Sequence, residues 1–186
     1  LRAKTRIMTK IVALQKTETK PETASVSIRM PEAKDGKDIY ALVKESGTLD
    51  ANSEYAYLLL GEHFKETCVI AEEGGKRAGF VSAYIPPNQP DVLFVWQIAV
   101  SESFRRRGLG RAMIYDILKR KPCENIKYIH VTISPSNSAS RSLFTSLARD
   151  LDTSFHEQSM FQSDYFSDQH EDEPLFVIGP LVHLSK

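Results

Sequence analysis

The nine residues Val92–Val100, VLFVWQIAV, carry one polar side chain, Gln97. A strand this apolar is buried on both faces, so it lies at the centre of a sheet with other elements packed above and below. After SESF comes Arg-Arg-Arg-Gly-Leu-Gly (105–110), and then a helical pattern from Leu109 to about Arg120, stopped by Pro122. Three adjacent guanidinium groups repel one another and glycine carries an entropic cost, so folding alone gives little motive for this junction. An anion held at a helix N-terminus gives a better one, because the first amides of a helix lack internal partners and the dipole adds positive potential.

The rest of the chain supplies the layers that the central strand needs. VSIRM (26–30) alternates as a half-buried strand, and Pro31 ends it. A short helix closed by Gly47 follows, then LDANSEYAYLLLGEHF, with Tyr55, Leu58, Leu59 and Glu62 at helical spacing. TCVIAEE, Gly74-Gly75 and AGFVSAYI read as a hairpin. IKYIHVTI (126–133) is a further strand, SPSNSASRSLFTSLARDL (134–151) a capped amphipathic helix, and FHEQSMF and LFVIGPLV two last strands flanking an acidic loop. The expected order is β-α-α-β-β-β-α-β-α-β-β, an α/β (α+β) chain with a mixed, mostly antiparallel sheet flanked by helices. Residues 25–186 form one expected domain, and residues 1–24, basic and without a convincing apolar face, an expected flexible leader.

Glycines at 108 and 110 let the backbone approach a bulky ligand, and Arg105, Arg106, Arg107 and Arg111 can neutralise phosphates. A pyrophosphate is the natural guest. The turn has neither the GxxxxGK[ST] of a nucleotide P-loop nor the GxGxxG of a dinucleotide fold. Taken alone, a solvated basic helix end explains it equally well.

RxxGxG (Arg105, Gly108, Gly110) after an apolar strand, with Asn137 and Ala139 opening a later helix, resembles motif A of the GNAT acetyltransferases. Four blocks, LDANSEYAYLLLGEHFKETCVIAE, GFVSAYIPPNQPDVLFVWQIAV, TISPSNSASRSLFTSLAR and HEDEPLFVIGP, are similar to the L-2,4-diaminobutyrate acetyltransferases of ectoine biosynthesis. The resemblance implies acetyl transfer from acetyl-CoA to the 4-amino group of L-2,4-diaminobutyrate, in a cytoplasmic homodimer. It further implies that residues 105–111, Leu109 included, hold the pyrophosphate and that Ile98, Ala99 and Val100 hold the pantetheine arm through their backbone. Asn137, Ser140 and Phe144 complete the implied cofactor set. Many GNAT enzymes place a tyrosine, as acid for the leaving thiolate, where this chain has Phe144, so that role does not carry over.

An alkyl ammonium has a pKa of about 10, so the enzyme must deprotonate the amine and stabilise an oxyanion. Backbone groups near Trp96, Gln97 and Ile98 are candidates for the oxyanion. The general base stays unassigned. For an acceptor with two ammonium groups and a carboxylate, the candidates are Asp50, Asn52, Ser53 and Tyr55, Trp96, and the acidic stretch His170, Glu171 and Glu173. Each has a plainer reading: helix capping for Asp50, Asn52 or Ser53, packing for Tyr55 and Trp96, and solvation for the acidic stretch. A GNAT enzyme for another amine, or a non-catalytic acyl-CoA-binding module, remains an alternative.

Charge narrows the partners. The formal net charge is zero, which gives no reason to expect nucleic acid. No apolar run approaches the roughly 20 residues that span a bilayer. Cys68 and Cys123 stand apart, in no metal-binding or disulfide pattern, and no metal is expected.

Overall fold

A computed structural model describes residues 25–47, 49–167 and 169–182. The leader expected at residues 1–24 and the last four residues lie outside them. Seven strands, β1 (Ser27–Arg29), β2 (Val69–Glu73), β3 (Lys76–Tyr84), β4 (Val92–Val100), β5 (Tyr128–Thr132), β6 (Phe155–Phe161) and β7 (Glu173–Ile178), form one sheet in the order β1-β2-β3-β4-β5-β7-β6. Four helices join them: α1 (Gly36–Ser46), α2 (Glu54–His63), α3 (Leu109–Leu118) and α4 (Ser138–Asp150). β4 and β5 pair in parallel and the remaining pairs are antiparallel. The expected element order and mixed sheet are both present. The last strand differs in detail. It starts at Glu173 rather than Leu175 and ends at Ile178, so Glu173 belongs to the sheet and not to a solvated loop.

Local chemistry sets the boundaries. Gly47 closes α1 in the left-handed region at φ 66°. Ser53 caps α2 by accepting from the Ala56 amide, and Asn137 caps α4 by accepting from the Ser140 amide at 3.1 Å. Gly74 and Gly75, at φ 58° and 77°, make the tight turn between β2 and β3.

β4 is covered on both faces, as its composition demands. Leu93 and Val95 pack with Met113, Ile114 and Ile117 of α3 and with Phe144 and Leu147 of α4. Ala99 packs on the other face, in the cluster of Ile39 and Val43 of α1, Tyr57 and Leu60 of α2, and Ile70 and Phe80. Each fully buried aliphatic side chain in these clusters contributes roughly 1.5–3 kcal/mol. A buried carboxylate ties the first strand to this body. Asp35 accepts from both terminal nitrogens of Arg29 at 2.7 and 2.9 Å and from the Glu32 amide at 2.8 Å, and Arg77 approaches at 3.3 Å. The Arg29 guanidinium holds the Asp35 carboxyl below the usual carboxylate range.

Candidate active site

The site begins with one extra residue. β3 and β4 pair regularly until Ser82 opposes Gln97 and Ala83 opposes Val95, which leaves Trp96 unpaired in a bulge. The parallel pairing of β4 with β5 stops at the same level, at Val95 opposite Val131. Beyond it the two strands part. Residues 97–100 keep their partners on β3 but have none on β5, so their other edge is open to a ligand with amide groups of its own. A cavity of about 470 Å³ opens beside the end of this edge, lined by Val100, Ser101 and Arg105 together with Leu42, Glu45 and Ser46 of α1.

At the foot of the opening lies the arginine-glycine turn. Arg106 and Gly108 have φ of 61° and 74°. The first helical acceptor is the Gly108 carbonyl, bonded by the Ala112 amide at 3.1 Å, so the amides of residues 108–111 lie ahead of the first closed helical turn. An ideal Cβ on Gly108 would meet only the Arg111 guanidinium, at 3.8 Å, whereas one on Gly110 would lie 2.5 Å from Leu143 Cδ1. The two glycines therefore serve different ends. Gly108 shapes the turn and keeps it open, and Gly110 lets α3 pack against α4.

The arginines divide as well. The Arg107 guanidinium pairs with Glu73 at 2.8 Å and lies over the Phe104 ring, and Arg111 pairs with Asp150. The Arg105 side chain donates to the Val100 carbonyl at 3.2 Å, bracing the strand end. Arg106 is exposed, and no side-chain hydrogen bond ties it to another of the described residues.

The opposite wall comes from two loops. Between α1 and α2, Asp50 projects a side chain that is 95% exposed, and its carboxylate faces His170 Nε2 at 3.4 Å. His170 belongs to the loop between β6 and β7. Its ring stacks on Phe166 with centroids 4.0 Å apart, and its Nδ1 donates to the Glu171 carbonyl at 2.7 Å. That hydrogen bond, with the nearby carboxylates, raises the His170 pKa. Glu173 follows at the start of β7, where burial pushes its carboxyl above the usual range against the opposing influence of the Thr132 hydroxyl and His170. Thr132, which hydrogen-bonds Glu173, follows Val131, the partner of Val95, so Glu173 lies on the side of the sheet where β4 and β5 have parted.

Two findings identify the family. Residues 36–148 match the Acetyltransferase (GNAT) family. The chain is 48% identical over 158 residues to the L-2,4-diaminobutyric acid acetyltransferase of Bordetella parapertussis, covering 84% of this chain and 85% of that one. The chain belongs to this family of GNAT acetyltransferases. It is also 44% identical over 167 residues to the same enzyme of Marinococcus halophilus, covering 89% and 96%. A solved structure of diaminobutyrate acetyltransferase from Paenibacillus lautus, in complex with L-2,4-diaminobutyric acid and coenzyme A, superposes with a TM-score of 0.84 at 43% identity, covering 88% of this chain and 99% of that one.

Within this GNAT fold the expected residues sort by position. Asp50, Trp96, His170 and Glu173 gather around the gap. Trp96 is 44% exposed and lies outside the core, and Asp50 caps no helix, since Ser53 does. Ser53 is a cap, and the Ser140 amide is taken up by Asn137. Tyr55 is exposed on α2, and Asn52 donates its amide to the Tyr57 hydroxyl at 3.2 Å. The Glu171 carboxylate accepts from the Ser136 amide at 2.9 Å, which fastens the acidic loop to the start of α4. Phe144 is fully buried between the sheet and the helices, and Leu109 is nearly so. Two residues were missed: Tyr57, which reads as an ordinary core aromatic, and Thr132, which reads as an ordinary strand residue. The signal for the first was the lone glutamine in the apolar strand, because a buried amide needs a partner on a facing element.

Proposed function

We propose that this chain transfers acetyl from acetyl-CoA to the 4-amino group of L-2,4-diaminobutyrate. The observation that carries the reading is the gap opened at Trp96. One side presents an unpaired strand edge and an amide-rich turn, and the other presents Asp50, His170 and Glu173. The similarity of the whole chain to diaminobutyrate acetyltransferases supports this acceptor.

Acetyl-CoA fits the groups present. Ile98, Ala99 and Val100 offer backbone amides and carbonyls to its pantetheine arm, and the amides of Gly108 to Arg111, with the Arg106 guanidinium, suit its pyrophosphate. Bound there, it supplies an activated thioester carbonyl. The Gln97 amide is taken by the Ser82 hydroxyl, so the amides of Trp96 and Ile98 at the bulge are the ones that suit the oxyanion forming at that carbonyl. Asp50 faces the 2-ammonium group and His170 the carboxylate, with Tyr55 and Trp96 as walls. The far end of the acceptor then extends into the gap beside Glu173. A carboxylate whose pKa is raised by burial is a stronger base than an exposed one, and Glu173 takes a proton from the 4-ammonium group so that its lone pair is free to attack. Phe144 has no proton to give, so the leaving thiolate takes its proton from another source.

The placement of the glycines gives a paired expectation. Gly108→Val forces a β-branched residue to positive φ in the mouth of the turn and should raise the acetyl-CoA dissociation constant at least roughly tenfold. Gly110→Ala crowds Leu143 and should instead lower stability by about 1–3 kcal/mol. Calorimetric titration and chemical denaturation separate the two; equal affinity in a folded Gly108→Val variant would remove the pyrophosphate assignment.

The reaction itself is tested by NMR of the product. Diaminobutyrate should be acetylated at N4, and ornithine and 2,3-diaminopropionate should react poorly, because one methylene more or less moves the amine out of the roughly 3–3.5 Å attack distance. Predominant acetylation at N2 would overturn the reading.

Glu173 must be ionised to accept a proton. Activity is therefore present above its raised pKa and lost as pH falls through it. The acidic limb of kcat/KM should lie above the ordinary carboxylate value of about 4.3. Glu173→Gln should lower kcat by about 10²–10⁴-fold and abolish that limb. A retained limb in the variant would assign the base elsewhere.

A cytoplasmic homodimer is part of the same proposal. Every residue of β6 is exposed, Phe155, Met160 and Phe161 among them, and its outer edge has no strand partner among the described residues. Such an edge is covered most simply by the same edge of a second copy. Sedimentation equilibrium should give a dimer, and Met160→Lys with Phe161→Lys should give monomers; a monomeric wild type would remove the dimer. One sheet spans the described residues, which supports reading 25–186 as one catalytic domain, and no helix among them is long and apolar enough to cross a membrane.

A further inference from the structure

Gln97 is 6% exposed and Tyr57 is fully buried in the core against Tyr40 and Phe80, yet each brings a polar group into that interior. Their hydrogen bonds form a ring. The Asn52 amide donates to the Tyr57 oxygen at 3.2 Å, and the Tyr57 hydroxyl donates to Gln97 Oε1 at 3.2 Å. Gln97 Nε2 donates to the Asp50 carbonyl at 2.8 Å, which closes the ring through the backbone of residues 50–52. Behind it, the Gln97 amide donates to the fully buried Ser82 hydroxyl at 3.2 Å. Every polar atom of the two side chains that faces the interior is thereby paired, and no buried side-chain nitrogen or oxygen among the described residues lacks a partner.

The ring joins the loop between α1 and α2 to β4 by direct hydrogen bonds, beside the apolar cluster that Leu49 and Ala99 share. Gln97 is the residue after the Trp96 bulge, on the strand edge that faces the thioester. Asp50 is on the loop that faces the acceptor, and its carboxylate is almost wholly exposed, with His170 at 3.4 Å. The backbone of Asp50 is held, and its side chain, beside His170, is exposed to a ligand.

We propose that Gln97, acting with Tyr57, is a positioning residue that sets the distance between the acceptor loop and the cofactor strand, and that this distance selects the chain length of the diamino acid. The inference rests on the acceptor reading above. A leucine would fill the same space without a desolvated amide to satisfy, so burial alone does not account for a glutamine here. A buried, fully paired network instead enforces one arrangement of the backbone it grips. With the loop fixed, Asp50 anchors the 2-amino end at one distance from the thioester, and only a four-carbon chain places its far amine correctly. With the loop released, Asp50 shifts and the discrimination relaxes.

Three variants of the whole chain test this: Gln97→Leu, which can neither donate nor accept; Gln97→Glu, which accepts from Tyr57 but cannot donate to the Asp50 carbonyl when ionised; and Tyr57→Phe. Each should raise KM for diaminobutyrate at least tenfold. The kcat/KM preference for diaminobutyrate over ornithine should fall by a similar factor, while the acetyl-CoA dissociation constant stays within about twofold. The Gln97→Leu and Tyr57→Phe effects should be non-additive in the double variant, because either change opens the same ring. Amide hydrogen exchange of residues 50–53 in protein without acceptor should quicken at least tenfold in each variant. That measurement needs no turnover. Unchanged exchange sinks the clamp whatever the acceptor proves to be, whereas faster exchange in a wild-type background inactive on diaminobutyrate would sink the acceptor reading and leave the clamp. Faster exchange with an unaltered diaminobutyrate-to-ornithine ratio would overturn the chain-length role, and a parallel loss of acetyl-CoA affinity would place Gln97 with the cofactor instead. Should Gln97→Leu fail to fold, Gln97→Glu and Tyr57→Phe decide the same points.

Discussion

Parallel pairing between β4 and β5 breaks off one residue before Trp96, and most of the site follows from that break. A continuous pairing would bury the amides and carbonyls of residues 97–100 in a ladder and leave no room between the strands. The bulge shifts the register of β4 against β3 while keeping that side bonded, so the sheet stays intact and only the β5 side opens. The opening is held apart by cores on both faces, with α3 and α4 packed on one and α1 and α2 on the other. Close packing of this kind resists collapse of the gap.

Electrostatics then assigns the two ends of the gap. Positive potential collects at the start of α3, where helix amides and arginines converge, and two of those arginines are already balanced by Glu73 and Asp150. Negative potential collects at the other end, around Asp50 and Glu173. In the proposed function, this polarity suits a polyanionic cofactor at one end and a cationic acceptor at the other. The same separation keeps Glu173 away from the arginines, so burial dominates its titration and its pKa rises.

Much of this was legible from residue order. The apolar run 92–100 demanded a central strand covered on both faces, Gly74-Gly75 a hairpin, and Asn137 a helix start, because each is a short-range consequence of side-chain pattern or backbone freedom. Asp50, Trp96, His170 and Glu173 were recognised as candidates, yet pattern alone could not separate a site role from capping, packing or solvation. Asp50 sits 120 positions from His170, and only the fold brings them to 3.4 Å. Gly108 and Gly110 look alike in sequence. They differ because a Cβ on one would meet only the Arg111 guanidinium, at 3.8 Å, and on the other would clash with Leu143 of α4.

What the sequence determined by itself was the set of elements, their order, and the chemistry gathered at the head of α3, since these depend on residues within a few positions of one another. Tertiary structure alone decided which charges are spent within the protein and which are left for a ligand. Arg107 finds Glu73, Glu171 finds the Ser136 amide, and Gln97 holds the Asp50 carbonyl while the Asp50 carboxylate stays exposed beside His170. The physical reason is that a hydrogen bond or ion pair forms over about 3 Å in space, and sequence separation says nothing about that distance until the chain has folded.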